Sequence, residues 1–269
     1  VTSAAVAEAG RRGGLFAALA ADPLFWRLAS IVVLCGGWEI AGRIPVNYAL
    51  PSFSATVAAF GRLVADGSLA TAYLDTLQPL LLGLVISAIV GVGCGVAMGL
   101  NRSLEWAGAP IFIVMQAAPM AALIPLTTFV YGIGLTAKVI AVVMLALPVI
   151  VLNSYQAVRH VGPSLVDMAR SFMATRRQIV RKIVIPDASP MIFAGLRLGI
   201  SAGFIGVVLA ELLITPTGIG DLITYHRSVA DYPEMYATIA SIILFAAVTV
   251  GALQRIEVAL FRPEKRGQP

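Results

Sequence analysis

The stretch PLLLGLVISAIVGVGCGVAMGL occupies positions 79–100. It carries no charged residue and, at about 1.5 Å per residue, is long enough to cross the roughly 30 Å of hydrocarbon in a bilayer as one helix. Gly91, Gly95 and Gly99 recur at every fourth position within it, as Gly195, Gly199 and Gly203 do further along, and such rows let helix backbones approach closely, inside one subunit or across a dimer. The embedded string GVGCG has neither a preceding strand nor a following acidic residue at the spacing a dinucleotide loop needs, so packing is its meaning.

The whole chain agrees with that stretch. Of 269 residues 59% are hydrophobic and 12% charged, and mean hydropathy is +0.90; soluble domains run at about 45–50% and about 25%. A water-soluble globule of this length cannot hide so much apolar side chain, so most of it faces lipid. Six stretches are candidate spans, near residues 25–43, 78–100, 106–130, 136–153, 191–213 and 236–254. The third is interrupted by Pro110, Pro119 and Pro125, which should kink or break it, and the fourth carries Pro148. The reading is an all-α polytopic membrane protein with a tail at 1–24, a six-helix domain at 25–254 and a second tail at 255–269. The first span is expected to be retained, because its apolar run begins too late for a cleaved signal.

Charge placement gives an orientation. With the amino terminus inside, the inner segments hold Arg11, Arg12 and Arg27, then Arg102, then Arg159, Arg170, Arg176, Arg177, Arg181 and Lys182, then Arg255, Arg262, Lys265 and Arg266, which is 14 of the 19 basic residues. That excess predicts both termini in the cytoplasm. The net charge of +5 therefore reports topology, and nucleic acid is not an expected partner, since the basic run is short and membrane-anchored. Cys35 and Cys94 lie inside apolar runs, away from any disulfide framework.

Two segments outside the spans have structure of their own. In the outer segment 45–77, Phe53, Val57, Phe60 and Val64 recur at helical spacing, predicting a short amphipathic helix on the outer surface. The inner loop 154–190 is more informative. Pro163 opens a predicted helix whose Leu165, Met168, Ala169 and Phe172 form an apolar face; a second helical stretch carries Ile179, Ile183 and a basic cluster before Pro186 stops it. A mere connector needs no apolar face. Either the loop presses against a cytoplasmic protein, or it lies on anionic lipid through Arg176, Arg177, Arg181 and Lys182.

This loop resembles the cytoplasmic motif of permease subunits of binding-protein-dependent ABC importers: Glu-Ala-Ala, three residues, Gly, nine residues, Ile, one residue, Leu-Pro. Asp167, Met168 and Ala169 occupy the opening triplet, Met173 the glycine position, and Ile183, Ile185 and Pro186 the close, with every spacing intact. The resemblance extends over nearly the whole chain. Leu50, Pro51, Ser52 and Val57 match an LPSPxxV-like pattern, and Pro125, Leu126, Phe129, Gly132 and Gly134 a PLxxxxFGIG-like one, with Tyr131 in place of Phe. The run Gly195 to Leu198 and the pair Ala210 and Glu211 also match the subgroup that imports nitrate, taurine, sulfonates, bicarbonate and thiamine-related pyrimidines. The subgroup usually has an arginine just before the second span, where this chain has Pro79.

The resemblance implies a type I ABC importer-like permease fold with a cytoplasmic coupling helix. Asp167, Met168, Ala169, Arg170, Ser171 and Phe172 would dock in a groove of an ATPase, and Met173 would add side chain where the family turns on glycine. It implies a second copy of the chain, two cytoplasmic ABC ATPases that hold ATP and Mg, and a periplasmic or lipid-anchored solute-binding protein. The implied activity is alternating-access import of a small anionic or zwitterionic solute.

No Gly-rich loop followed by Lys and Ser/Thr is present to hold ATP, and no hydroxyl, histidine and carboxylate share a catalytic spacing, so the chain itself is not expected to be an enzyme or to bind a cofactor. His160 and His226 fall on opposite sides of the membrane and cannot share a metal. The broken third span, with Gln116, Pro119, Pro125, Thr127, Thr128 and Tyr131, is the expected pathway-lining element, because unwound backbone at membrane depth is tolerated only against protein or a water-filled cavity; the prolines alternatively only shape packing. Glu39, Arg197 and Glu211 are ionisable groups in or near spans, needing partners or water. Glu211 is the candidate gate among them. The alternative to an importer is a secondary transporter or channel, for which midplane ion-coupling charges would be expected instead of a docking helix.

Overall fold

The computed structural model describes residues 23–44, 49–214 and 216–261. Arg11, Arg12, Arg262, Lys265 and Arg266, which count towards the predicted orientation, lie outside them. In chain order the elements are α1 (Pro23–Arg43), α2 (Phe53–Ala65), α3 (Ser68–Leu100), α4 (Arg102–Ala117), a 3-10 turn (Met120–Leu123), α5 (Ile124–Tyr131), α6 (Leu135–Arg159), α7 (Pro163–Ser171), α8 (Arg176–Ile179), a π turn (Val180–Val184), α9 (Ile185–Leu213), α10 (Ile219–Ser228) and α11 (Tyr232–Phe261).

Among the described residues, five helical stretches are long and apolar enough to cross a membrane: Phe25–Arg43, Ser68–Leu100, Leu135–Arg159, Arg176–Leu213 and Tyr232–Phe261. The predicted third span is the pair Arg102–Ala117 and Met120–Tyr131, bent by 84°. Only one of its three prolines makes the break. Ala118, which precedes Pro119, is extended at φ −70° and ψ 148°, the conformation that a following proline ring imposes. Pro110 is carried inside α4, and Pro125 sits in the first turn of α5, where its missing N–H costs nothing. Pro148 likewise lies within an unbroken α6.

α6 is the central helix, flanked by α3 and α9. The two glycine rows explain this arrangement from the sequence. A Cβ on Gly95 would stand 2.5 Å from the Val151 carbonyl, one on Gly91 2.8 Å from the Ile150 side chain and one on Gly99 2.5 Å from Val158, all on α6. From the other side, Gly195 meets Asn153 and Gly199 meets Ile150, while Gly203 meets Leu84 of α3. Ile150 is thus held between a glycine of each neighbour. Both rows serve close packing within this subunit.

Pro186 does not stop the second inner helix. Arg176–Leu213 runs on as one span, because the chain widens into the π turn Val180–Val184 immediately before it and the Ile185 amide donates to the Val180 carbonyl five residues back. A π turn relieves the clash and the missing donor that proline brings to an α-helix.

The amphipathic helix α2 forms, capped by Ser52, whose hydroxyl accepts from the Ala55 amide at 3.3 Å. Its inward face differs from the predicted stripe. Thr56, Ala59 and Leu63 are buried, packing with α3 and α11, whereas Val57, Phe60 and Val64 point outward and stay exposed. Phe53 stacks edge-on against Trp38 of α1, whose indole N–H donates to the Pro51 carbonyl at 3.0 Å.

Candidate functional site

The loop between α6 and α9 forms one end of the bundle, here the α7 end. Pro163 occupies the first turn of α7, after Gly162. Ala169 turns inward and is buried, with Val166 packed against the cluster of Ala157, Val158, Val184, Ala188 and Ile192. The rest of the predicted apolar face is left open: Leu165 and Met168 are exposed, and Phe172 and Met173 are 80% and 93% exposed. Asp167 and Arg170 pair across one helical turn at 3.1 Å on the same surface, and the Ser171 hydroxyl donates to the Asp167 carbonyl.

The backbone accounts for the glycine of the family pattern. Met173 has φ 55°, in the left-handed region. Its amide donates to the Arg170 carbonyl and the Ala174 amide to the Ala169 carbonyl, the paired bonds of a Schellman motif in which the left-handed position is normally glycine. The loop geometry is therefore kept with methionine in place, and the added side chain projects from the tip of α7 beside Phe172.

The next turn is fixed from two sides. Thr175 and Gln178 form a capping box at the start of α8, and Arg176 Nη2 donates to the Leu100 carbonyl at the end of α3 at 3.2 Å. Ile183 and Ile185 are half-buried and Pro186 is exposed. Between α7, α8 and the ends of α3 and α6 lies a hollow of about 730 Å³ whose lining includes Arg159, Asp167, Arg170 and Arg176.

The pathway candidates separate. Gln116 and Pro119 line a cavity of about 260 Å³ at the break in the bent span, together with Met115, Met120, Met144 and Pro148; Gln116 supplies the one polar side chain in that lining. Pro125 and Tyr131 are exposed on α5. Thr127 and Thr128 spend their hydroxyls on the carbonyls of Ile124 and Pro125 in their own helix.

Glu211 sits elsewhere, at the opposite, α10 end, buried within the bundle. Lys138 Nζ of α6 lies 2.9 Å from Glu211 Oε1, with the two side chains 4% and 0% exposed. The Thr76 hydroxyl of α3 donates to the carboxylate at 2.9 Å, and the Gly220 amide donates to Oε2 at 3.0 Å. Thr76 in turn accepts from the Ile219 amide, and Lys138 donates to the Thr217 carbonyl. One carboxylate thus ties α3, α6, α9 and the start of α10 together. Gly218 passes so close, at φ 86°, that a Cβ there would overlap the carboxylate. Glu211 stands out in the sequence, but Lys138 as its partner does not; the signal present there is an opposite charge within another span. The other two ionisable groups are paired as well, Glu39 with Arg43 at 2.7 Å and Arg197 with Glu257 at 3.3 Å.

Residues 89–262 match the family model described as binding-protein-dependent transport system inner membrane component. The riboflavin transport system permease protein RibX of Chloroflexus aurantiacus is 32% identical over 214 residues, covering 78% of this chain and 80% of that protein. The formylaminopyrimidine transport permease protein ThiX of Halalkalibacterium halodurans is 26% identical over 249 residues, 92% of this chain and 97% of that one. Among solved structures, an inward-facing form of the MetNI methionine ABC transporter superposes with a TM-score of 0.63 at 20% identity, over 72% of this chain and 96% of the other, and supports the fold.

Proposed function

We propose, from the premise that this chain belongs to the binding-protein-dependent transport system inner membrane component family, that α7 is its coupling helix and that the bent span lines its solute path. The chain is an ABC importer permease of multi-pass inner-membrane type. The observation that carries the coupling assignment is the exposed Met168, Phe172 and Met173 tip, held by a Schellman turn at the family's glycine position. So much exposed apolar side chain on a nine-residue helix and the turn that ends it marks an interaction surface.

In this reading two copies of the chain form the pore, each α7 seated in a groove of a separate ATPase that holds ATP and Mg. A solute-binding protein delivers cargo at the α10 end, which faces outward when both termini are cytoplasmic. ATP-driven closure of the ATPases moves the α7 helices, and the rigid α3, α6 and α9 bundle passes that motion to the bent span. The solute is small and anionic or zwitterionic, a reading supported by relatives named for aliphatic sulfonates, taurine and bicarbonate. Gln116 supplies the one polar side chain lining the cavity at the break, which leaves most of the selection to the binding protein.

The test is reconstitution of the chain with its ATPase and binding protein in liposomes. Uptake that requires ATP and is abolished by Phe172→Asp supports the assignment. ATP-driven uptake that survives Phe172→Asp and Met168→Asp at wild-type rate removes α7 from the coupling path.

A further inference from the structure

We infer that His226, Asp231 and Glu234, at the α10 end, form a binding site for one divalent transition-metal ion of the zinc type. The turn between α10 and α11 creates it. Ala230 has φ 59°, its amide donates to the Arg227 carbonyl and the Asp231 amide donates to the His226 carbonyl. This is a second Schellman motif, in which the side chains at the positions of His226 and Asp231 are brought together, usually as an apolar contact. Here that contact is an imidazole and a carboxylate. Asp231 also caps α11, accepting from the Glu234 amide at 3.4 Å, so Glu234 one turn on adds a second carboxylate. One donor atom from each of the three residues falls within 4.8 Å of the others.

The histidine points to a ligand. Its side chain is 8% exposed, and neither ring nitrogen makes a hydrogen bond, although Nδ1 lies 3.3 Å from Glu234 Oε2. A buried imidazole ordinarily has a partner for each nitrogen. Donor atoms around a tetrahedral zinc, each at about 2.0–2.1 Å, stand about 3.3 Å apart, which is the separation already present between His226 and Glu234. Arg62 of α2 lies 3.1 Å from the other Glu234 oxygen and orients that carboxylate, as outer-shell partners of metal ligands do. One imidazole with two carboxylates suits zinc better than magnesium or calcium, which take oxygen ligands in larger number. Water completes the fourth position. The bound ion joins α10 to α11 and, through Arg62, to α2.

The experiment uses the full chain in lipid nanodiscs, with Zn²⁺ titrated against a chromophoric chelator and Mg²⁺ as competitor. The expected result is one zinc per chain, undisturbed by tenfold excess Mg²⁺, with affinity lowered about 100-fold by His226→Ala and at least 10-fold by Asp231→Asn. His160→Ala leaves it unchanged. Asn caps a helix as well as Asp does, so Asp231→Asn keeps the turn, and an unaltered zinc-free melting temperature verifies this; that variant carries the test if His226→Ala does not fold. Absence of stoichiometric zinc in the wild-type chain, or wild-type zinc affinity in Asp231→Asn, overturns the proposal.

Discussion

Replacing Lys138 with methionine keeps the length of the side chain but leaves the Glu211 carboxylate buried among Thr76, Gly220 and the wall of α6 without its cation. Breaking a buried ion pair from one side costs about 3–5 kcal/mol, because an uncompensated charge stays behind. For a chain of this size each kcal/mol corresponds to roughly 2–4 °C in Tm, so Lys138→Met should melt roughly 6–20 °C below wild type. Thermal unfolding of detergent-solubilised protein, followed by a thiol-reactive dye on Cys35 and Cys94 or by light scattering, reads the shift. Adding Glu211→Gln removes the stranded charge while its amide oxygen still accepts from Gly220 and Thr76, and the double variant should regain at least half of the loss. A single variant that melts within about 2 °C of wild type, or a double variant no more stable than the single one, would refute the view that this pair holds the α10 end of the bundle together.

Three further outcomes follow from the same structure. Met173→Gly relieves a left-handed residue and should stabilise the α7 turn by about 1 kcal/mol, measurable as slower amide exchange at Ala174. Gly95→Leu drives side chain into the Val151 carbonyl and Ser154; it should separate α3 from α6 and cost about 3 kcal/mol, the upper end of the usual cost of overpacking, seen as loss of a monodisperse elution peak, whereas Gly93→Leu, with open space around it, should be tolerated. Thr175→Ala removes a capping box and should destabilise the start of α8 by about 1 kcal/mol, read as protease sensitivity between α7 and α8.

Much of the fold is legible because lipid imposes simple demands. The span at 79–100, the glycine rows and the helix opened by Pro163 each follow from length, spacing and one residue type, and each stands where the pattern puts it. What the sequence conceals depends on contacts or on backbone choices that periodicity does not encode. Pro186 reads as a helix stop; only the π turn ahead of it allows the helix to continue. The apolar stripe of α2 marks it as a surface helix but does not tell which residues hold it to the bundle: Thr56 and Ala59, small enough to let it lie close to its neighbours, are the buried ones. Lys138 and Glu211 are 73 positions apart and meet only because α6 and α9 lie side by side. Asp231 and Glu234 lie one turn apart at the start of α11, but His226 stands across the end of α10, so no helical period joins it to them, and a positive φ at Ala230 is what does.

Coupling of this chain to an ATPase through the exposed tip of α7 is read by co-purification. Tagged chain is extracted from its own membranes in mild detergent, and the associated proteins and ATPase activity are compared between wild type and the Asp167→Ala/Phe172→Ala variant. The expected result is an ABC ATPase recovered in stoichiometric amount with the wild type and lost with the variant, while the variant itself still elutes as folded protein. Recovery of the same ATPase in equal amount with both, or of none under conditions that keep another importer complex intact, would contradict it.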